Sequence, residues 1–240
     1  MEDINPYSSL EAPPAAFAAA SERATFLKKV YGILFLGILG FAATLWAAAN
    51  VPIVNTAAIK LFQITHRGMF GWLMYMGIFM GASMGVHALA EKKPLNVVAY
   101  SLYVVLLGLL IAPIVLFVAG QANGAAIISQ ASMITALVFG GLTFYVLYSG
   151  KDFSWLGGML RMLFWGLLVV MVIGMFTNFS FGLWMSGACV LLFAGYILYD
   201  TSQILHRLPT TMAMSGAIML FTDVVLLFKH ILILLMNSRD

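Results

Sequence analysis

Long, unbroken apolar runs alternate with short polar links along this chain. Crossing a hydrocarbon layer about 30 Å thick takes about 20 apolar residues of helix. Runs of that length lie at Leu27–Ala49, Met69–Ala90, Leu95–Ala119, Ala125–Tyr148, Leu156–Asn178, Leu183–Leu205 and Met212–Met236. They are continuous, whereas the strands of a membrane barrel would alternate over about ten residues, so the pattern predicts seven helices. Most links are a few residues long, as in Glu91-Lys92-Lys93-Pro94 and Gly150-Lys151-Asp152-Phe153, which makes neighbouring helices antiparallel. The exception is Asn50–Gly68, where the stretch Thr56–Phe62 suits an interfacial half-helix and an ordinary loop equally. The organisation expected is a mobile cytoplasmic tail over 1–26, a membrane domain over 27–236 and a short tail over 237–240.

Composition excludes the alternatives. Hydrophobic residues make up 62% and charged residues 9% of the 240, against about 25% charged in a soluble domain, so a water-soluble globule lacks its polar coat. Cys189 is the only cysteine, which rules out a disulfide scaffold and reads as a small packing residue. Glu2 and Asp3 stand where a cleavable signal would be basic. The twelve basic residues form no continuous stripe, so no nucleic-acid partner is expected and they read as topology signals. Eight of them fall on the side of the N-terminus and four on the other, which predicts a cytoplasmic N-terminus.

Two kinds of position carry structural meaning within the spans. Gly77, Gly81 and Gly85 recur every fourth residue and predict a helix-packing ridge, within the chain or between two copies. Pro113 removes an internal hydrogen bond from the third span and predicts a kink.

Seven of the nine acids lie in tails or links; Asp200 and Asp223 lie inside apolar runs. An aspartate at the centre of a membrane helix costs about 2.5 to 3.5 kcal/mol on insertion scales, so each needs a partner, a cavity or a proton. The midpoint between them falls at Thr211-Met212, in the link joining the last two spans, so an antiparallel hairpin places both at one depth. Two like charges 4 Å apart repel by about 4 kcal/mol at an effective dielectric of 20. The pair therefore shares a proton and titrates as one unit, or recruits a cation. Two carboxylates with Thr201, Thr222, carbonyls and water would form a weak calcium site, suited to permeation rather than storage. The opposing expectation is that each acid bonds a neighbouring helix, or that Asp200 pairs with His206 or Arg207, and the two never meet.

Other polar residues are candidates for a latch or a proton relay: His87, Lys92 and Lys93 around the end of the second span, and His230, seven residues after Asp223 on nearly the same helical face. For the histidines, ordinary packing is the competing reading. Lys229 is expected to reach toward the far membrane face. No zinc spacing, phosphate loop or nucleophile elbow is present, so no enzyme and no tightly bound cofactor are expected.

Leu27-Lys28-Lys29-Val30-Tyr31, Lys151 to Gly158, Gly195-Tyr196-Ile197-Leu198-Tyr199-Asp200-Thr201 and Asp223 to Leu235 together resemble the Bax inhibitor family, the transmembrane Bax inhibitor motif proteins. The resemblance implies an all-α integral membrane protein of seven transmembrane helices, the last enclosed by the other six, and a pH-sensitive calcium leak. The family's paired aspartates fall on Asp200 and Asp223. Its basic latch at the cytoplasmic end of the second helix falls on the stretch His87-Ala88-Leu89-Ala90-Glu91-Lys92-Lys93.

Three functions are thus in play. The first is a calcium leak or transporter gated by the proton-sharing pair, with lipid, calcium and protons as partners. The second is an intramembrane aspartyl protease, weakened because Leu220-Phe221-Thr222 precedes Asp223 where such proteases carry Gly-x-Gly. The third is a non-transport regulator of cell death or of a membrane quality-control protease, acting through a membrane protein partner. The membrane would be the inner membrane of a bacterium, or the endoplasmic reticulum or another organelle of a eukaryote.

Overall fold

The computed structural model describes residues 12–177 and 182–238. The first eleven residues of the expected tail, the centre of the link after Thr177, and Arg239 and Asp240 lie outside the described residues. The described chain is helical: α1 Ala20–Asn50, α2 Pro52–Thr65, α3 Gly68–Leu89, α4 Leu95–Ala119, α5 Gly124–Ser149, α6 Leu156–Thr177, α7 Gly182–His206 and α8 Ala213–Asn237. All but α2 are long and apolar enough to cross a membrane, which gives seven candidate spans among the described residues. The chain is a multi-pass integral membrane protein.

Two expectations at the N-terminal side need correction. Residues 12–26 are not a free tail, because α1 begins at Ala20 and the segment before it docks on the link between α7 and α8. Ala16 N–H donates to Leu205 O at 2.8 Å, Thr210 N–H donates to Pro13 O at 3.2 Å, and Ala15 is fully buried. Between α1 and α3 stands a full helix, α2, longer than the stretch foreseen. Pro52 opens it with its ring preset for a first helical turn. Asn55 Nδ2 fixes the corner by donating to Ala48 O at 2.8 Å.

Helix α8 is the most buried of the candidate spans. Its buried positions, from Ala213 through Phe221, Asp223 and Leu227 to Leu232, run around its whole circumference. A helix apolar all round belongs inside a bundle. It packs against α1, α3, α4, α5 and α7, while α6 packs along α7. Phe221, fully buried, sets its rotation by edge-to-face contacts with Tyr100 at 5.6 Å, Tyr103 at 6.1 Å and Phe41 at 6.4 Å. Asp223 lies two residues on and is thereby turned toward α7.

The glycine ridge does not pack within the chain. A methyl group at Gly77, Gly81 or Gly85 would meet no atom within 4 Å, because that side of α3 is exposed and α3 meets its neighbours through other residues. Close approach occurs instead at Gly108, where an added Cβ would stand 2.6 Å from Thr44 Cγ2 and separate α4 from α1. Helix α4 continues through Pro113 to Ala119.

Candidate functional site

Helices α7 and α8 form the antiparallel hairpin expected, and it brings Asp200 and Asp223 together. The two carboxyl groups are hydrogen-bonded to each other. Both side chains are buried, at 9% and 5% exposure. Asp223 Oδ2 is sealed from the surface and meets no amide or hydroxyl donor. Two carboxyl groups this close in a medium of low dielectric repel strongly when both are ionised. The expectation that each acid bonds elsewhere fails on this contact.

Bases do not reach the pair. His206 and Arg207, considered as partners for Asp200, turn instead to the α5–α6 link. His206 Nε2 faces Gly150 O at 3.1 Å, and Arg207 approaches Asp152 Oδ2 at 3.5 Å, the single ion pair among the described residues. The reason is geometric: six and seven residues of helix put these side chains about 10 Å along the axis from Asp200, at the level of the link. Ser202 Oγ accepts from Phe153 N–H at 2.8 Å, and Gln203 Nε2 donates to Ser154 Oγ at 3.1 Å. Gly150 makes the turn possible with φ of 61°, a left-handed cap whose N–H donates to Val146 O at 2.9 Å. Asp152 sits largely exposed in this link. Hydrogen bonds from the Ser154 side chain and backbone, together with the nearby His206 and Ser202, outweigh its desolvation and hold its carboxyl below the usual range.

The remaining candidates stand apart. His87, Lys92 and Lys93 are exposed at the end of α3 and in the following link, and no hydrogen bond or ion pair among the described residues joins them to the acids. His230 is buried and stacked on Phe193 at 5.6 Å and 15°, one heptad of helix from Asp223 and out of its reach.

Hydroxyl groups come from the helices packed against this hairpin, and most of them escape a search for charges. Thr222 Oγ1, counted as a cation ligand, is engaged with Tyr103 Oη and with Ile218 O, both at 2.9 Å. Ser83 on α3 stands close to the Tyr103 hydroxyl, so polar groups line up from α8 across α4 to α3. Thr201, the other expected ligand, is fully buried and faces Tyr31 beside Thr143, three hydroxyls from α7, α1 and α5, each without a direct hydrogen-bond partner. Tyr196, one turn before Asp200 on the same helical face, lies within electrostatic range of both acids and of Arg161. That one-turn spacing was the available signal for Tyr196. Tyr31, Thr143 and Tyr103 come from other helices and carry none. Among the described residues no third His, Cys, Asp or Glu joins the pair. A cation held here would therefore be completed by hydroxyls, carbonyls and water.

The sequence matches the family described as "Inhibitor of apoptosis-promoting Bax1" over residues 23–240. The chain belongs to the Bax inhibitor family. It is similar to the "Golgi anti-apoptotic protein" of vaccinia virus (strain Lister), 32% identical over 239 residues that cover 99% of this chain and 94% of the viral one. It is also similar to "Bax inhibitor 1" of Schizosaccharomyces pombe, 31% identical over 91% of this chain and 79% of the yeast one. "Protein LIFEGUARD 1" of Arabidopsis thaliana is 26% identical over 98% of each chain. Each of these likenesses runs over nine tenths or more of this chain.

Proposed function

We propose that this chain conducts a cation, calcium, across its membrane, and that the proton shared by Asp200 and Asp223 controls the passage. The observation that carries this reading is the contact between two buried carboxyl groups with no base beside them. A proton and a divalent cation satisfy the same two oxygen sets and so compete for them. Protonation closes the site to the cation; loss of the proton leaves two anions that attract one. Hydroxyls from Thr201, Thr143 and Tyr31 on one side, and the Thr222–Tyr103–Ser83 line on the other, supply oxygen ligands for a partly dehydrated ion.

The N-terminus faces the cytoplasm in this proposal. Eight of the twelve basic residues fall on its side of the seven-span path, and the acid pair lies in the half of the membrane nearer that side. Calcium entry into dye-loaded proteoliposomes, followed over about pH 6 to 8, tests the reading. Wild-type flux should change with pH and Asp223→Asn should abolish or fix it; a variant with the wild-type pH profile rejects the gate.

A second reading is favoured by the relatives' names. Two are called an anti-apoptotic protein and a Bax inhibitor, so this chain is proposed alternatively as a membrane regulator of cell death, or of a quality-control protease, acting through a protein partner. Flux by the purified chain alone separates the two, since a pure regulator conducts nothing without its partner.

A further inference from the structure

Six residues beyond Asp223 on α8, Lys229 enters the bundle without a counter-charge. Its Nζ donates one hydrogen bond, to Tyr75 Oη at 3.1 Å, and lies 4.9 Å from the Tyr75 ring centroid. An ammonium carries three donors, and among the described residues no carboxylate stands within ion-pair distance of this one. The ionisable groups that face it are a phenol, a thiol and two imidazoles: Tyr75, Cys189, His66 and His230. His66, in the corner between α2 and α3, packs edge-on to Tyr75 at 6.0 Å. Its imidazole is held below the usual histidine range by burial, and the Lys229 charge pushes the same way. A cation in hydrocarbon needs an anion, and the chain offers none here.

The space in front of Lys229 indicates what kind of anion fits. A cavity of about 80 Å³ lies between α3, α6, α7 and α8, with Lys229 and His230 at its polar end. Met76, Phe79, Leu168, Met171 and Leu192 make its walls apolar. Helix α6 packs on α7 and forms no extended seam with α3, and the cavity these helices line is open rather than sealed. The groups that line it supply one ammonium and one phenol among apolar side chains, which matches a single carboxylate carried on an apolar chain. An apolar chain attached to that carboxylate would leave through this opening into lipid.

We propose that this cavity binds the carboxylate end of a long-chain fatty acid, with Lys229 as counter-charge, Tyr75 as the positioning phenol and the tail lying between α3 and α6. The site is distinct from the acid pair and does not depend on transport.

The test uses the full chain in phosphatidylcholine nanodiscs, with oleate, methyl oleate and phosphatidylglycerol as probes and native mass spectrometry as readout. Oleate should saturate one site per chain and methyl oleate should not compete. Lys229→Met should weaken oleate about tenfold, the loss of a charge-assisted bond, and Tyr75→Phe about threefold, while Lys229→Arg keeps it within about threefold. Equal binding of methyl oleate, or unchanged oleate binding by Lys229→Met, overturns the proposal. Displacement of oleate by an equal concentration of phosphatidylglycerol overturns it in favour of a lipid phosphate. A reading that needs no variant is the rate at which a small thiol reagent modifies Cys189, which lines the same cavity. Oleate should slow it and methyl oleate should not; no effect of oleate counts against the site.

Discussion

Asp223 and Lys229 sit on the same helix, six residues and so about 9 Å of rise apart, yet only Asp223 meets an ionisable partner of use to it within the chain. The acid faces a second acid contributed by the preceding helix, and in the proposed reading the conflict is resolved by something small and mobile, a proton or a cation. The base faces rings and one phenol, and its charge is left for something brought from the membrane. A buried charge with a like-charged neighbour makes a switch, because its occupant comes and goes. A charge with no ionic neighbour makes a receptor, because its occupant supplies what the fold omits.

The comparison can be broken most sharply at the acid pair. Asp223→Asn should remove pH-controlled calcium flux altogether in proteoliposomes while the chain still assembles, since an amide satisfies the same contact without ionising. Next in size is the packing that aims the acid. Phe221→Ala should cost about 3 to 5 kcal/mol of stability through the cavity it leaves among Phe41, Tyr100 and Tyr103. A retained denaturation midpoint would show that α8 is positioned otherwise. Lys229→Met follows, with its tenfold effect on fatty-acid affinity and wild-type flux, because the two sites on α8 are independent in this account.

A smaller effect belongs to the α5–α6 link. Asp152 is held below the usual carboxylate range, so its contribution to stability is present above that range and fades as pH falls through its own lower value. Asp152→Asn should lower stability by less than about 1 kcal/mol at neutral pH, as expected of an exposed pair, and flatten the acid limb of the melting profile. Smallest of all, Gly81→Ala should leave stability within about 0.5 kcal/mol, since nothing lies within 4 Å of the added methyl. A large loss would mean that a second copy of the chain covers α3.

What the sequence made legible follows from the physics of each feature. Span lengths are set by the membrane, and Leu95–Ala119 matches α4 residue for residue. The pairing of Asp200 with Asp223 follows from the position of one link. Features that depend on helices remote in sequence were out of reach: the hydroxyls of Tyr31, Thr143 and Tyr103 declare nothing until α1, α4 and α5 are placed around the hairpin. The docked segment 12–19 was read as free because Ala and Pro carry no pattern, although its backbone pairs with the α7–α8 link. The glycine spacing on α3 was real but says only that a backbone can be approached, not that anything approaches it.

The central claim is that Asp200 and Asp223 hold one proton, or one cation, between them. Infrared difference titration of the protonated carboxyl band, in calcium-free nanodiscs and with each single Asn variant to assign it, measures this most directly. The account predicts a protonated carboxyl band that survives at neutral pH and bleaches when calcium is added. Loss of the whole band through the ordinary carboxylate range, with both acids titrating independently and calcium without effect, would contradict it.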